Sequence, residues 1–168
     1  MAEITAKTVK DLRDRTGLPM MDCKKALDEC DGDSDAAVQW LRERGAQVFS
    51  KRADRSTDFG RFGIVAGHDQ PVGAMVELKC ESAPVTQNEE FIQLANDLAS
   101  CLAQSNASDA DELLSRPSPS VEGSTLGEQK DELFNRTREV FNIGRMIRIE
   151  GTCAGYEHNS GTVSGVLL

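Results

Sequence analysis

The sequence predicts an α+β protein: an N-terminal three-helix bundle followed by a small antiparallel sheet packed with helices. Three observations carry that expectation. Before residue 50, apolar side chains recur at three- and four-residue steps between capping residues and glycine stops. Beyond residue 59, two short apolar runs flank a turn containing Gly and Pro, the mark of a hairpin. A helical stripe from Phe91 to Leu102 and a second pair of short strands then follow.

The helices come first. Thr5 caps the first one, Val9 and Leu12 give it an inner face, and Gly17 ends it as a left-handed residue does. Pro19 opens the second, where its missing N–H costs nothing, and this helix runs to about Cys30. Met20, Cys23, Leu27 and Cys30 form its apolar stripe with Ala26 beside them, so Met20 and Leu27 are expected in the core. Met21 falls well off that stripe, beside Lys24, Lys25 and Asp28. It reads either as an isolated exposed apolar residue or as part of a contact surface. The third helix begins after Asp33, carries Ala37, Val38, Trp40 and Leu41, and is expected to stop at Gly45. Helices this short are not stable singly, so residues 1–50 are expected to pack as one bundle around Val9, Leu12, Leu27, Val38 and Leu41. That shape resembles the ubiquitin-associated fold, and the resemblance implies a recognition module rather than a catalytic one.

Residues Ser50 to Asp58 read as a charged linker. The runs Phe62–Ala66 and Val72–Leu78 form the first hairpin, and a loop over Glu81–Gln87 leads to a helix capped by Asn88, with Glu89 and Glu90 at its positive end. Ser105 to Ser124, rich in Ser, Pro, Asp and Gly, is expected to be a mobile connection with a helical turn near Leu113. Thr125 and Glu128 form a capping box for a helix holding Leu126, Leu133, Phe134 and Thr137. A strand at Arg145–Glu150 closes a core spanning residues 59–151. Residues 152–168 read as the start of a second, incomplete core subdomain, in which Ala154–His158 pairs with Thr162–Leu168 about a turn at Asn159, Ser160 and Gly161. The apolar end Val166-Leu167-Leu168 has no following helix to cover it, and exposed edges of this kind are a liability. The expectation is a chain cut short, or a hairpin that self-associates or stays mobile.

Composition removes several function classes. The 168 residues carry a net charge of −9, which argues against direct nucleic-acid binding, since phosphates need clustered Lys and Arg. No signal peptide or membrane span is legible, so the cytoplasm is the expected compartment. The five cysteines are scattered without a CxxC pair and read as structural. Asp31-Gly32-Asp33-Ser34-Asp35 imitates a calcium loop, but Ala36 and Arg42 stand where Gly and Glu are required. No phosphate-binding glycine loop and no nucleophile elbow is present. The two histidines, His68 and His158, fall in expected hairpin turns. The chain reads as a protein without covalent chemistry, metal or cofactor, not an enzyme.

Residues 1–45, reading ITAKTVKDLRDRTG, LPMMDCKKAL and CDGDSDAAVQWLRERG, closely resemble the N-terminal module of bacterial elongation factor Ts, a ubiquitin-associated-like fold. VGAMVELKCES with NEEFIQLANDLA, and later GYEHNSGTVSGVLL, resemble successive parts of the same factor's core. The resemblance implies a guanine nucleotide exchange factor in protein biosynthesis, binding elongation factor Tu in its GDP-bound and nucleotide-free forms. It also implies site residues. Met20, Met21 and Lys24 match the helical surface that docks on the partner's G domain. Ser82, Ala83, Pro84 and Val85 match, in position, a loop in which the family uses Thr-Asp-Phe-Val to disturb the partner's magnesium site. Here Ala83 and Pro84 replace the Asp and Phe. Asp58-Phe59 offers the same pair, but is expected in the linker before the first strand. His158 matches a histidine of the contact surface, or is a turn histidine with no role. A second departure is Thr137-Arg138, where many members carry Ile-Gly. The altered loop favours a rival reading, an interaction module that binds elongation factor Tu or another partner without releasing nucleotide.

Overall fold

A computed structural model describes residues 4–69, 71–158 and, for the backbone, 163–167. The chain forms two compact units. One holds the N-terminal helices to Asp54 together with Phe134–Arg138; the other holds Arg55–Leu133 and the chain from Glu139 onward.

In the first unit, helices α1 (Ala6–Thr16), α2 (Met20–Glu29) and α3 (Ser34–Ser50) follow one another. Thr5 and Thr8 close α1 reciprocally: each backbone N–H donates to the other's hydroxyl, at 3.0 and 3.2 Å. Gly17, at φ 69°, ends it and donates to the Arg13 carbonyl at 2.7 Å. The Asp33 carboxylate accepts the amides of Asp35 and Ala36 at the start of α3. Val9, Leu12, Leu18, Cys23, Ala26, Leu27, Ala37 and Leu41 make the core, with Val38, Trp40 and Cys30 packed at its rim.

Two expectations fail here. Met20 is 43 % exposed and not core. Buried Leu18, from the turn before the helix, belongs to the core instead, and its carbonyl accepts from the Cys23 thiol at 3.7 Å. Gly45 does not stop α3, which continues to Ser50. Gly45 is buried mid-helix, and a Cβ there would lie 1.9 Å from Asn135 Oδ1. The glycine is a point of close approach rather than a terminator.

The second unit is built on an antiparallel sheet in the order β1 (Phe59–Val65), β2 (Val72–Cys80), β3 (Asn142–Glu150). Helix α4 (Glu89–Gln104) packs on β1 and β2, burying Phe91, Leu94, Ala95, Leu98 and Leu102 against the alternate residues Ala74, Val76, Leu78 and Cys80. β1 starts earlier than the apolar run suggested, because its glycines serve the packing. A Cβ at Gly63 would sit 1.8 Å from the Ala95 carbonyl oxygen, so only glycine lets α4 lie this close.

The segment expected to be mobile is instead fixed. Short helix α5 (Ala110–Leu114) buries Leu113, Pro117 bridges Thr125, and Ser118 donates to the Ser124 carbonyl at 2.8 Å. Its polar residues face inward to a buried carboxylate. Asp97 of α4 accepts from Gln93 and Gln129, both at 2.9 Å, and from the Ser120 hydroxyl. A buried carboxylate needs such donors, which is why polar composition misled. Helix α6 (Leu126–Thr137) opens with the expected capping box, Thr125 N–H donating to Glu128 at 2.8 Å and Glu128 N–H to the Thr125 hydroxyl at 3.1 Å.

Strands β4 (Ala154–His158) and β5 (Val163–Leu167) form a second, two-stranded sheet. β5 runs against β1 and β2, Cys153 bridges Gly67, and Gly155 approaches Ile64. The turn at Asn159–Gly161, Leu168 and the side chains of the apolar end lie outside the described residues.

Gly63→Ala is expected to lower stability by about 1–3 kcal/mol, the usual effect of overpacking. The urea midpoint reads it; an unchanged midpoint would mean that α4 lifts off β1 without penalty.

Candidate functional site

Met20 and Met21 occupy the first two positions of α2, 43 % and 74 % exposed, and Lys24 lies exposed one turn further on. Two adjacent soft apolar side chains are thus left in water on a helix whose other face is core. Between Met21 and Cys23, Asp22 is held from behind. Arg138 Nη2 lies 2.6 Å from Asp22 Oδ2, and the Arg138 carbonyl accepts from Arg52 Nη1 at 2.7 Å.

In the second unit, the chain after β2 turns through Glu81 and Ser82 into a 3-10 turn, Ala83–Gln87, with Pro84 in its first turn. Ala83 and Pro84 are exposed, Val85 is half-buried and Thr86 is buried. This loop is tied at several points. Glu139 accepts from the Ser82 N–H at 3.1 Å and from its hydroxyl at 2.5 Å. Glu81 accepts from the Val140 N–H at 2.8 Å and from Arg55 at 3.0 Å. Arg61, 7 % exposed, donates to the Thr86 carbonyl at 3.0 Å, and Thr86 donates to the Ala83 carbonyl at 2.7 Å. Below the loop, the Cys80 thiol donates to the Ser82 carbonyl at 3.3 Å. Burial pushes that thiol up to about 11, and the charge of Glu139 adds to the shift, so Cys80 stays protonated.

The position of Asp58-Phe59 also differs from expectation. Phe59 is the first residue of β1 and pairs with Cys80, so this dipeptide sits at the same end of the hairpin as Ser82. Phe59 is 47 % exposed and Asp58 accepts from the Ser56 hydroxyl at 3.0 Å. Glycines 60 and 63 interrupt the apolar pattern there, which disguised the strand's start. His158 ends strand β4 rather than standing in a turn, and its Nδ1 lies 3.0 Å from the hydroxyl of Tyr156, with the two rings stacked and exposed.

Of the site residues expected from sequence, Met20, Met21, Lys24, Ala83, Pro84 and His158 are exposed, whereas Ser82 and Val85 are half-buried. Sequence reasoning missed the residues that hold them: Asp22, Arg138, Glu139, Arg61 and Tyr156. Of these, Tyr156 carried a local signal, two residues from His158 on one face of a strand, and Arg138 stood out as a departure from the family pattern without its partner being legible.

Among the described residues, no group of three or more His, Cys, Asp or Glu side chains is placed to hold a metal ion. Nor is any helix there long and apolar enough to cross a membrane. The fold and the exposed features define a two-unit α+β protein with an exposed methionine pair on one unit and a braced, exposed loop on the other. A model of the elongation factor Ts family matches residues 81–168. The chain is 40 % identical over 168 residues to elongation factor Ts of Clostridium botulinum (strain ATCC 19397 / Type A), covering 98 % of this chain and 54 % of that protein. To elongation factor Ts of Oleidesulfovibrio alaskensis it is 51 % identical over 112 residues, 67 % of this chain and 57 % of that one. To that of Clostridium novyi it is 38 % identical, covering 98 % and 55 %. The chain belongs to the elongation factor Ts family. It spans about half the length of the curated relatives it matches.

Glu139→Gln replaces one acceptor oxygen with an NH2 group that faces the donors of Ser82. A hydrogen bond to a charged group contributes about 1.5–3 kcal/mol, so amide exchange at Ser82–Val85 is expected to accelerate about 10- to 100-fold. Mass-spectrometric exchange over that segment checks it; unchanged protection would show that Glu139 does not hold the loop.

Proposed function

We propose that this chain acts in the cytoplasm on elongation factor Tu as a guanine nucleotide exchange factor, promoting release of GDP so that GTP can bind. The observation that carries the reading is the identity to proteins named elongation factor Ts, which extends over 98 % of the chain. The exposed Met20, Met21 and Lys24 support it as the helical docking face, and the braced Ser82–Val85 loop as a second contact. Mechanistically the chain needs no catalytic group. It binds the nucleotide-free partner more tightly than the GDP form, and by linkage it weakens GDP binding by the same factor. Raising GDP is therefore expected to weaken the chain's own affinity in proportion.

The loop chemistry favours a second reading. A methyl group and a pyrrolidine at Ala83 and Pro84 cannot supply a carboxylate and an aromatic wedge, so the chain then binds elongation factor Tu without opening its nucleotide site. Stopped-flow release of labelled GDP, with and without the chain, separates the two: accelerated release supports exchange, whereas binding with an unchanged rate supports the plain interaction module.

Two sets of variants test the parts. Met21→Ala is expected to weaken partner binding by more than about 1 kcal/mol with little change in Tm. Leu27→Ala, a core truncation, is expected to lose about 2–5 kcal/mol of stability instead; equal Tm losses would overturn the assignment. The double substitution Ala83→Asp with Pro84→Phe is expected to raise the GDP release rate more than the affinity for nucleotide-free partner. Phe59→Ala in the native chain is expected to lower that rate, given its place at the same end of the hairpin. If neither moves the rate, another surface carries the activity.

A further inference from the structure

Two non-glycine residues among those described have a left-handed backbone, Asp31 at φ 51° and Arg138 at φ 60°. Aspartate tolerates that conformation, because its short side chain bonds locally. Arginine has no such tolerance, and a strained residue persists only where its surroundings hold it. Here they do. The guanidinium is 2.6 Å from Asp22, and the carbonyl accepts from Arg52 at 2.7 Å. Both partners of the ion pair are only 28 % exposed, so solvent and salt weaken it less than an open surface pair.

What Arg138 grips is informative. Asp22 belongs to the first turn of α2, and that turn has no side-chain cap, since Pro19 stands at the cap position. The amides of Asp22 and Cys23 depend on the Pro19 carbonyl, at 2.9 and 3.1 Å. First turns without a capping side chain fray readily. Immediately before this grip, Met20 and Met21 are exposed to solvent. We propose that Arg138 is a positioning residue for the docking turn of α2: its guanidinium holds Asp22 and thereby sets Met20 and Met21 in the orientation presented to a partner. The proposal rests on the docking reading given above, and it explains why a residue unsuited to a left-handed backbone occupies this one.

Three variants of the full chain separate positioning from plain stability. Arg138→Ala removes the ion pair and leaves the strained backbone. Arg138→Gly removes the same ion pair and relieves the strain, and Asp22→Asn removes the charge from the other side. If Arg138 positions the turn, all three variants lose affinity for nucleotide-free elongation factor Tu to a similar extent, about 5- to 20-fold, as expected for loss of a charge-assisted hydrogen bond. Amide exchange of the α2 first turn accelerates alike in all three. Thermal stability divides them instead, with Arg138→Gly melting above Arg138→Ala. Arg138→Lys, which keeps the charge, recovers part of the affinity. Native affinity in Arg138→Gly overturns the docking role, and unchanged amide protection in Arg138→Ala overturns the grip itself. A native chain that binds no elongation factor Tu refutes the reading of function and the docking role with it, while the amide measurement still decides the grip.

Discussion

The order of the helical unit depends on a short piece of chain that arrives more than a hundred residues after its second helix begins. The last turn of α6 and the residue that follows it supply side chains at four positions. Phe134 meets Phe49 edge-on at 5.2 Å, Asn135 lies against Gly45 of α3, Arg136 packs over Gly17 at the end of α1, and Arg138 binds Asp22 of α2. Three helices of 11, 10 and 17 residues bury little surface by themselves. The returning segment touches α1 at its C-terminal end, α2 in its first turn and α3 along its C-terminal half. That placement accounts for the two glycines that side chains from α6 crowd.

A common arrangement supports both exposed features that we propose as docking surfaces. In each, the exposed residues have modest chemistry and the charged residue sits one step behind them. Met20 and Met21 precede Asp22, which Arg138 holds; Ala83 and Pro84 follow Ser82, which Glu139 holds. The two holding residues are consecutive in the chain. Neither is exposed in the manner of a contact residue, and both work through geometry: a fixed side chain loses less conformational freedom when a partner arrives.

Much of the fold was legible because its signals are local. Thr5, Asp33, Asn88 and Thr125 cap helices through bonds spanning two or three residues, and any reading of spacing finds them. What escaped depends on distant neighbours. Periodicity placed Met20 on the inner face, yet the core beside Cys23 includes Leu18, from outside the helix. Gly45 and Gly63 looked like interruptions because the atoms that crowd them belong to Asn135 and Ala95. The run from Ser105 to Ser124 looked solvated, since nothing nearby announces that Asp97 is buried. Met20, Met21 and Lys24 were legible through the motif they share with the family, and Ala83 and Pro84 only through their position after the second strand. The residues bracing them were not, because Asp22 and Arg138 lie 116 positions apart and Ser82 and Glu139 lie 57 apart.

The cysteines give the molecule a practical property. Cys23, Cys80 and Cys153 are buried, and Cys30 and Cys101 are partly covered. Desolvation raises the ionisation of Cys30, Cys80 and Cys101 above the ordinary thiol value, so little of the reactive thiolate forms near neutrality. The native surface is therefore slow toward electrophilic probes. A single cysteine introduced at exposed Ala83 would be more accessible to alkylation than the buried Cys23, Cys80 and Cys153 and the partly covered Cys30 and Cys101, giving a fluorescent reporter on the loop.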